Sequence, residues 1–195
     1  MTSFRKDFKK CICGILTLIF FSTLLIDQPI SFNNASAQIH GGHNLPPSII
    51  GDREIFLKFD STEFTTSEKG KFSLALMDNK TSKNIPHVTY IISIRDNENN
   101  NLLTENFHGH GGDINLEFVN SNLEKYQINA NYDTLAASYV PDFGSPIKIE
   151  GPIFSNSGEY KLIAEITGID FDNTFLPEPL KYEHIIDVKE GINNN

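Results

Sequence analysis

The chain has no tryptophan and only two cysteines and two methionines in 195 residues. Both cysteines, Cys11 and Cys13, stand near its start. Past residue 13 there is no thiol, which excludes disulfides, cysteine nucleophiles and thiolate metal sites there. Any metal ligands must be histidine, carboxylate or amide groups. Positive charge is also scarce: 16 Lys and Arg face 25 Asp and Glu, a formal net charge of −9. That balance argues against nucleic acid or an anionic membrane surface as partner. Only one long apolar run exists, Cys11 to Ile26, and its 16 residues fall short of the roughly 20 a membrane span needs. Glycine (13) and proline (9) are too few for a fibrous chain.

The apolar run is flanked by what a secretory signal requires. Arg5, Lys6, Lys9 and Lys10 precede it, and Ala35-Ser36-Ala37 follows as a small-x-small cleavage pattern. Residues 1–37 are therefore expected to be a signal helix, with an uncleaved N-terminal anchor through residues 11–26 as the alternative. Neither cysteine sits in a lipoprotein-type box. Cleavage would remove those four basic residues against Asp7 and Asp27, moving the net charge from −9 to −11. The expected product is secreted or extracytoplasmic: a flexible leader over 38–52, a domain over 53–190, and a polar tail over 191–195.

Phenylalanine is abundant, with 15 copies, and from residue 53 onward apolar residues recur at period two. Nine segments follow this rule. They centre on Ile55–Phe59, Phe72–Leu76, Val88–Ile94, Leu103–Phe107, Ile114–Phe118, Tyr126–Tyr132, Ile147–Ile149, Tyr160–Ile166 and Tyr182–Val188. Turn-forming clusters separate them, such as Asp78-Asn79-Lys80-Thr81, Asn97 to Asn101 and Gly109 to Gly112. Eight or nine short strands spaced by turns predict an all-β, antiparallel sandwich. Ser157-Gly158-Glu159-Tyr160-Lys161-Leu162 resembles the tyrosine corner of immunoglobulin-like domains, and that resemblance implies an immunoglobulin-like sandwich. Asn79-Lys80-Thr81 is a glycosylation acceptor in an exported protein.

Chemistry is offered mainly by six histidines: His40, His43, His87, His108, His110 and His184. Two residues apart on a strand, His108 and His110 point to one face. If the hairpin around Asn97 to Asn101 pairs Ile94 with Leu103, the same register pairs Tyr90 with Phe107, Thr89 with His108 and His87 with His110. Three imidazoles then share one patch, a donor set suited to Cu or Zn. Asp113 is the expected fourth ligand, or the carboxylate that orients an imidazole. The glycines around His110 permit close backbone approach. A one-residue slip would instead put His87 on the opposite face, leaving ordinary exposed histidines.

Two further sets stay open. Cleavage after Ala37 starts the chain at Gln38-Ile39-His40, whose amine, amides and imidazole suit square-planar Cu(II) or Ni(II). Cyclisation of Gln38 would abolish that site. His40-Gly41-Gly42-His43 could also fold over a metal held by the sandwich. Gly168 to Asn173 carries alternating carboxylates but lacks the glycine and closing glutamate of an EF-hand loop. His184 reads as a half-buried structural residue. There is no G-x-S-x-G elbow, phosphate-cradling loop or H-E-x-x-H helix, so a non-enzymatic protein is expected.

Pro86-His87-Val88-Thr89-Tyr90 and Phe107-His108-Gly109-His110-Gly111-Gly112, behind a signal peptide, resemble small exported β-sandwich proteins of archaea, ammonia-oxidising lineages among them. A looser likeness is to periplasmic copper-binding β-sandwiches, the copper-resistance carriers and the soluble domain of particulate methane or ammonia monooxygenase. Those place a histidine near the mature N-terminus beside a histidine or carboxylate pair. Here His40 or His43 with His108 and His110 would fill the positions, although no histidine directly follows Ala37. The resemblance implies copper carriage, buffering or supply to a membrane or surface metalloprotein. The competing expectations are a cell-surface adhesion or scaffold domain, or an accessory subunit of a membrane complex.

Overall fold

Alternation of apolar and polar side chains builds this molecule, because each strand must bury one face and wet the other. The structure, a computed structural model, describes residues 47–142, 144–170 and 174–191. The expected signal segment, the Gln38–His40 site, His43 and the polar tail after residue 191 lie outside the described residues. All regular elements among the described residues are strands. None is a helix long and apolar enough to cross a membrane.

Among the described residues there are fourteen strands. They are β1 (Ser48–Ile50), β2 (Arg53–Ser61), β3 (Phe64–Thr65), β4 (Gly70–Asp78), β5 (Lys83–Asn84), β6 (Val88–Arg95) and β7 (Asn101–Gly109). The remainder are β8 (Asp113–Val119), β9 (Gln127–Asn129), β10 (Asn131–Asp133), β11 (Ser138–Val140), β12 (Ile147–Glu150), β13 (Gly158–Ile169) and β14 (Thr174–Lys189). All nine expected segments are present, with the Tyr126–Tyr132 segment broken at Ala130 into β9 and β10. The others, β1, β3, β5 and β11, are two or three residues long, too short to show a period. β1 pairs with β2, so the first sheet begins at Ser48 and not at residue 53.

The strands form two seven-stranded sheets. One runs β1-β2-β4-β8-β12-β9 with β5 beside β4, and the other runs β10-β11-β7-β6-β13-β14-β3. Most pairings are antiparallel, as expected. Three are parallel: β11 with β7, β12 with β8, and β14 with β3. The two sheets pack together on a shared core in a β-sandwich-like arrangement. Ile55, Leu57 and Phe59 of β2 and Phe72, Leu74 and Leu76 of β4 enter it from one side. Tyr90, Ile92 and Ile94 of β6 and Leu162, Ala164 and Ile166 of β13 enter it from the other. Abundant phenylalanine is used here: Phe59, Phe72, Phe118 and Phe154 form a chain of ring contacts with centroids 5.7, 5.3 and 5.1 Å apart. At its end, the Tyr160 hydroxyl donates to the Asn156 carbonyl (2.9 Å) and accepts from the Asn156 amide (3.3 Å), tying the turn before β13 to its first inward residue.

Tyr90 does more than fill space. Its ring is fully buried, and its hydroxyl donates to the Gly112 carbonyl at 2.7 Å while accepting from the Leu76 amide at 3.1 Å. One side chain of β6 thus pins the β7–β8 turn and reaches β4 of the opposite sheet. A buried hydroxyl satisfied twice in this way specifies position as well as adding stability.

Candidate metal centre

The hairpin of β6 and β7 sets which way every histidine faces. Its loop is closed by Asp96, whose Oδ1 accepts the amides of Glu98 (3.0 Å) and Asn100 (2.8 Å), while Asn99 takes a left-handed φ of 67°. Asparagine tolerates that conformation better than most residues. Leaving the loop, Arg95 pairs with Asn101, yet Ile94 pairs with Leu103. Leu102 is the additional residue of a β-bulge. Without it the loop's register would continue, His108 would lie opposite Val88, and Phe107 would turn out of the core. With it, Tyr90 faces Phe107 and Thr89 faces His108, as expected from the sequence. The pairing extends past the strand ends, where the His87 amide donates to the His110 carbonyl at 3.1 Å.

His87, His108 and His110 therefore converge on the outer face of the second sheet. One ring nitrogen from each lies within 4.8 Å of the other two, close enough to bind a metal ion. His87 Nδ1 is central, 3.3 Å from His108 Nε2 and 3.5 Å from His110 Nδ1. Three nitrogens held at about 2.0–2.1 Å around one tetrahedral zinc stand roughly 3.3 Å apart, so little side-chain motion separates this arrangement from a ligand triangle. The rings meet edge to face or tilted, with centroids 5.0–5.5 Å apart.

Each imidazole is held differently. His108 is 8% exposed, and its Nδ1 lies 3.0 Å from Thr89 Oγ1. In the tautomer with hydrogen on Nδ1, that contact orients the ring and leaves Nε2 for a metal. His87 follows Pro86 with a left-handed φ of 51°, a backbone choice that costs most residues about 1–2 kcal/mol. His110 is exposed on a β-turn closed by the Gly112 amide donating to the Gly109 carbonyl at 3.0 Å. The glycine at 112 is required: φ is 80°, and a Cβ there would overlap the Ile85 carbonyl. Beside His110 opens a cleft of about 530 Å³, lined by Lys71, Asp113, Asn115, Pro141, Asp142 and Pro146 among others.

Burial holds the His108 imidazole below its ordinary pKa, and the neighbouring His110 and His87 push it the same way. That favours the neutral, metal-competent form. Asp133 opposes the shift, and its own carboxyl is held low by the Ala136 and Leu135 amides and then by His108 and His110.

Asp113, the expected fourth ligand, is not among the converging groups. The physical reason is the turn itself. The chain crosses from one sheet to the other between Gly109 and Gly112, so Asp113 already belongs to β8, opposite Ala75. The carboxylate that acts on the cluster is Asp133, which sequence reasoning did not find. It arrives on β10 by way of β11, which lies parallel to β7 through Tyr139 and Phe107. No period or motif in Asn131-Tyr132-Asp133 signals that placement. His184 sits in the core at 7% exposure, with its ring 4.0 Å from that of Phe59. Asp170, of the alternating-carboxylate stretch, is engaged by Arg53 Nη1 at 2.9 and 3.2 Å. Asn79 is exposed at the turn after β4, with its Nδ2 donating to Glu54 Oε2 at 2.7 Å.

No protein-family model, no curated protein and no solved structure matches this chain.

Proposed function

We propose that this chain is an exported, immunoglobulin-like β-sandwich that binds a transition metal through His87, His108 and His110, copper first and zinc as the alternative. The observation that carries the reading is the convergence of three imidazoles at one end of the β6–β7 hairpin, with one ring nitrogen from each within 4.8 Å of the other two. Imidazole donors suit Cu and Zn, and among divalent first-row ions copper binds most tightly to a given nitrogen site. The Tyr160 contacts with Asn156 support the immunoglobulin-like assignment. An exposed His110 next to a buried, oriented His108 suits loading and release from solvent, and hence carriage, buffering or supply to a surface metalloprotein. It does not call for catalysis.

The test is calorimetric titration of the chain from Gln38 onward with Cu(I), Cu(II) and Zn(II), against a His108→Ala/His110→Ala variant. One equivalent bound by the first protein and lost in the second is the expected result. Equal binding by both would remove the strand site and leave His40 and His43 as the donors to examine. An absence of binding in both would favour the adhesion or scaffold reading.

A further inference from the structure

β7 breaks its own pattern once. Leu103 and Phe107 point into the core, and between them on the same face stands Glu105, opposite the fully buried Ile92. Alternation calls for an apolar residue there. The carboxylate is half buried, and its Oε1 accepts a hydrogen bond from the Tyr126 hydroxyl at 2.7 Å. Among the described residues, no lysine or arginine forms an ion pair with it. A half-buried anion without a cationic partner is a cost to the fold, and such departures from local rules concentrate at functional positions.

Glu105 lines a groove of about 680 Å³ together with Leu102, Tyr126, Ile128, Tyr139 and Ile153. That volume suits a small organic ligand. Glu124 and Lys125 also border it and offset one another in charge. Burial and then the Glu105 carboxylate raise the Tyr126 phenol to about 12 and push that of Tyr139 upward, so one negative charge acts on both rings. The groove thus offers an acceptor, two aromatic rings and aliphatic walls, in a chain whose net charge of −9 attracts cations.

We propose that this groove binds a small organic ammonium ion, with its charged head on Glu105 between Tyr126 and Tyr139 and its hydrocarbon part against Leu102, Ile128 and Ile153. The site lies on the opposite face of β7 from His108 and does not rest on the metal reading.

The experiment is an amide-resolved NMR titration of the purified full chain with n-hexylammonium chloride and, separately, with sodium hexanoate. The ammonium ion produces saturable shifts at residues 102–105 and 126–128, and hexanoate does not. Glu105→Gln weakens ammonium binding by on the order of tenfold or more, as loss of a charge-assisted contact requires. Tyr126→Phe keeps the carboxylate and retains binding within a few-fold. Equal binding of hexanoate, shifts scattered over the surface, or an unchanged affinity in Glu105→Gln would overturn the proposal. Should Glu105→Gln not fold, the contrast between the two probes on the unaltered chain decides the matter.

Discussion

Gly112→Ala isolates the turn that carries His110. Two costs arise. A Cβ in the left-handed region costs about 1–2 kcal/mol. Its overlap with the Ile85 carbonyl forces a backbone shift typical of overpacking, worth about 1–3 kcal/mol. For a chain of this size 1 kcal/mol moves the melting temperature by about 2–4 °C, so the combined loss of about 2–5 kcal/mol lowers it by roughly 4–20 °C. Gly51 supplies the control, because its φ is also left-handed, at 60°, and nothing lies within 4 Å of a Cβ built there. Gly51→Ala is expected to lose only the backbone share, roughly 2–8 °C on the same scale. Differential scanning calorimetry of both variants measures the difference, and zinc titration of both shows whether His110 moves with its turn. Gly112→Ala melting no lower than Gly51→Ala would refute the account of the turn as sterically dictated.

Other outcomes follow from the same geometry. Because burial holds the His108 pKa below its unfolded value, the unfolded chain takes up more protons as pH falls through about 6.5. Stability is therefore full above that pH and declines below it, down to the folded-state pKa; calorimetry between pH 7.5 and 5 checks this, and His108→Gln flattens the decline. Asp133→Asn removes the charge that opposes the shift, so the His108 pKa falls further, readable by imidazole NMR titration. Metal at 100 times its dissociation constant adds about 2.7 kcal/mol of stability, and this increment disappears in His108→Ala/His110→Ala. Phe118→Ala, at the junction of the aromatic chain, costs about 3–5 kcal/mol by denaturant unfolding without altering metal stoichiometry.

What the sequence revealed of this architecture, and what it hid, divides along physical lines. Tyr90, Ile94, Leu103 and Phe107 must all face the core, and that requirement excludes a one-residue slip of β6 against β7 and puts His87, His108 and His110 on one face. The bulge at Leu102 that satisfies it is invisible beforehand, since an asparagine-rich loop admits several lengths and only the folded pairing shows which residue is left over. The left-handed backbone of His87, found together with its amide's bond to the His110 carbonyl, likewise has no mark in the sequence. Asp113 stands outside the converging groups because the chain changes sheet between it and His110. Asp133 was hidden for the complementary reason: it comes near the cluster through a parallel pairing of distant segments, and the alternation of Tyr126–Tyr132 gave no sign that the run breaks at Ala130 and passes to the other sheet. β3 and β5, two residues each, have no period to read.

X-ray absorption at the metal edge of the copper-loaded chain addresses the central claim most directly. The account predicts a first shell of three imidazole nitrogens near 2.0 Å, unchanged by deletion of residues 38–45 and lost in His108→Ala/His110→Ala. A shell that persists in that double variant, or that disappears with the amino-terminal residues, would contradict it.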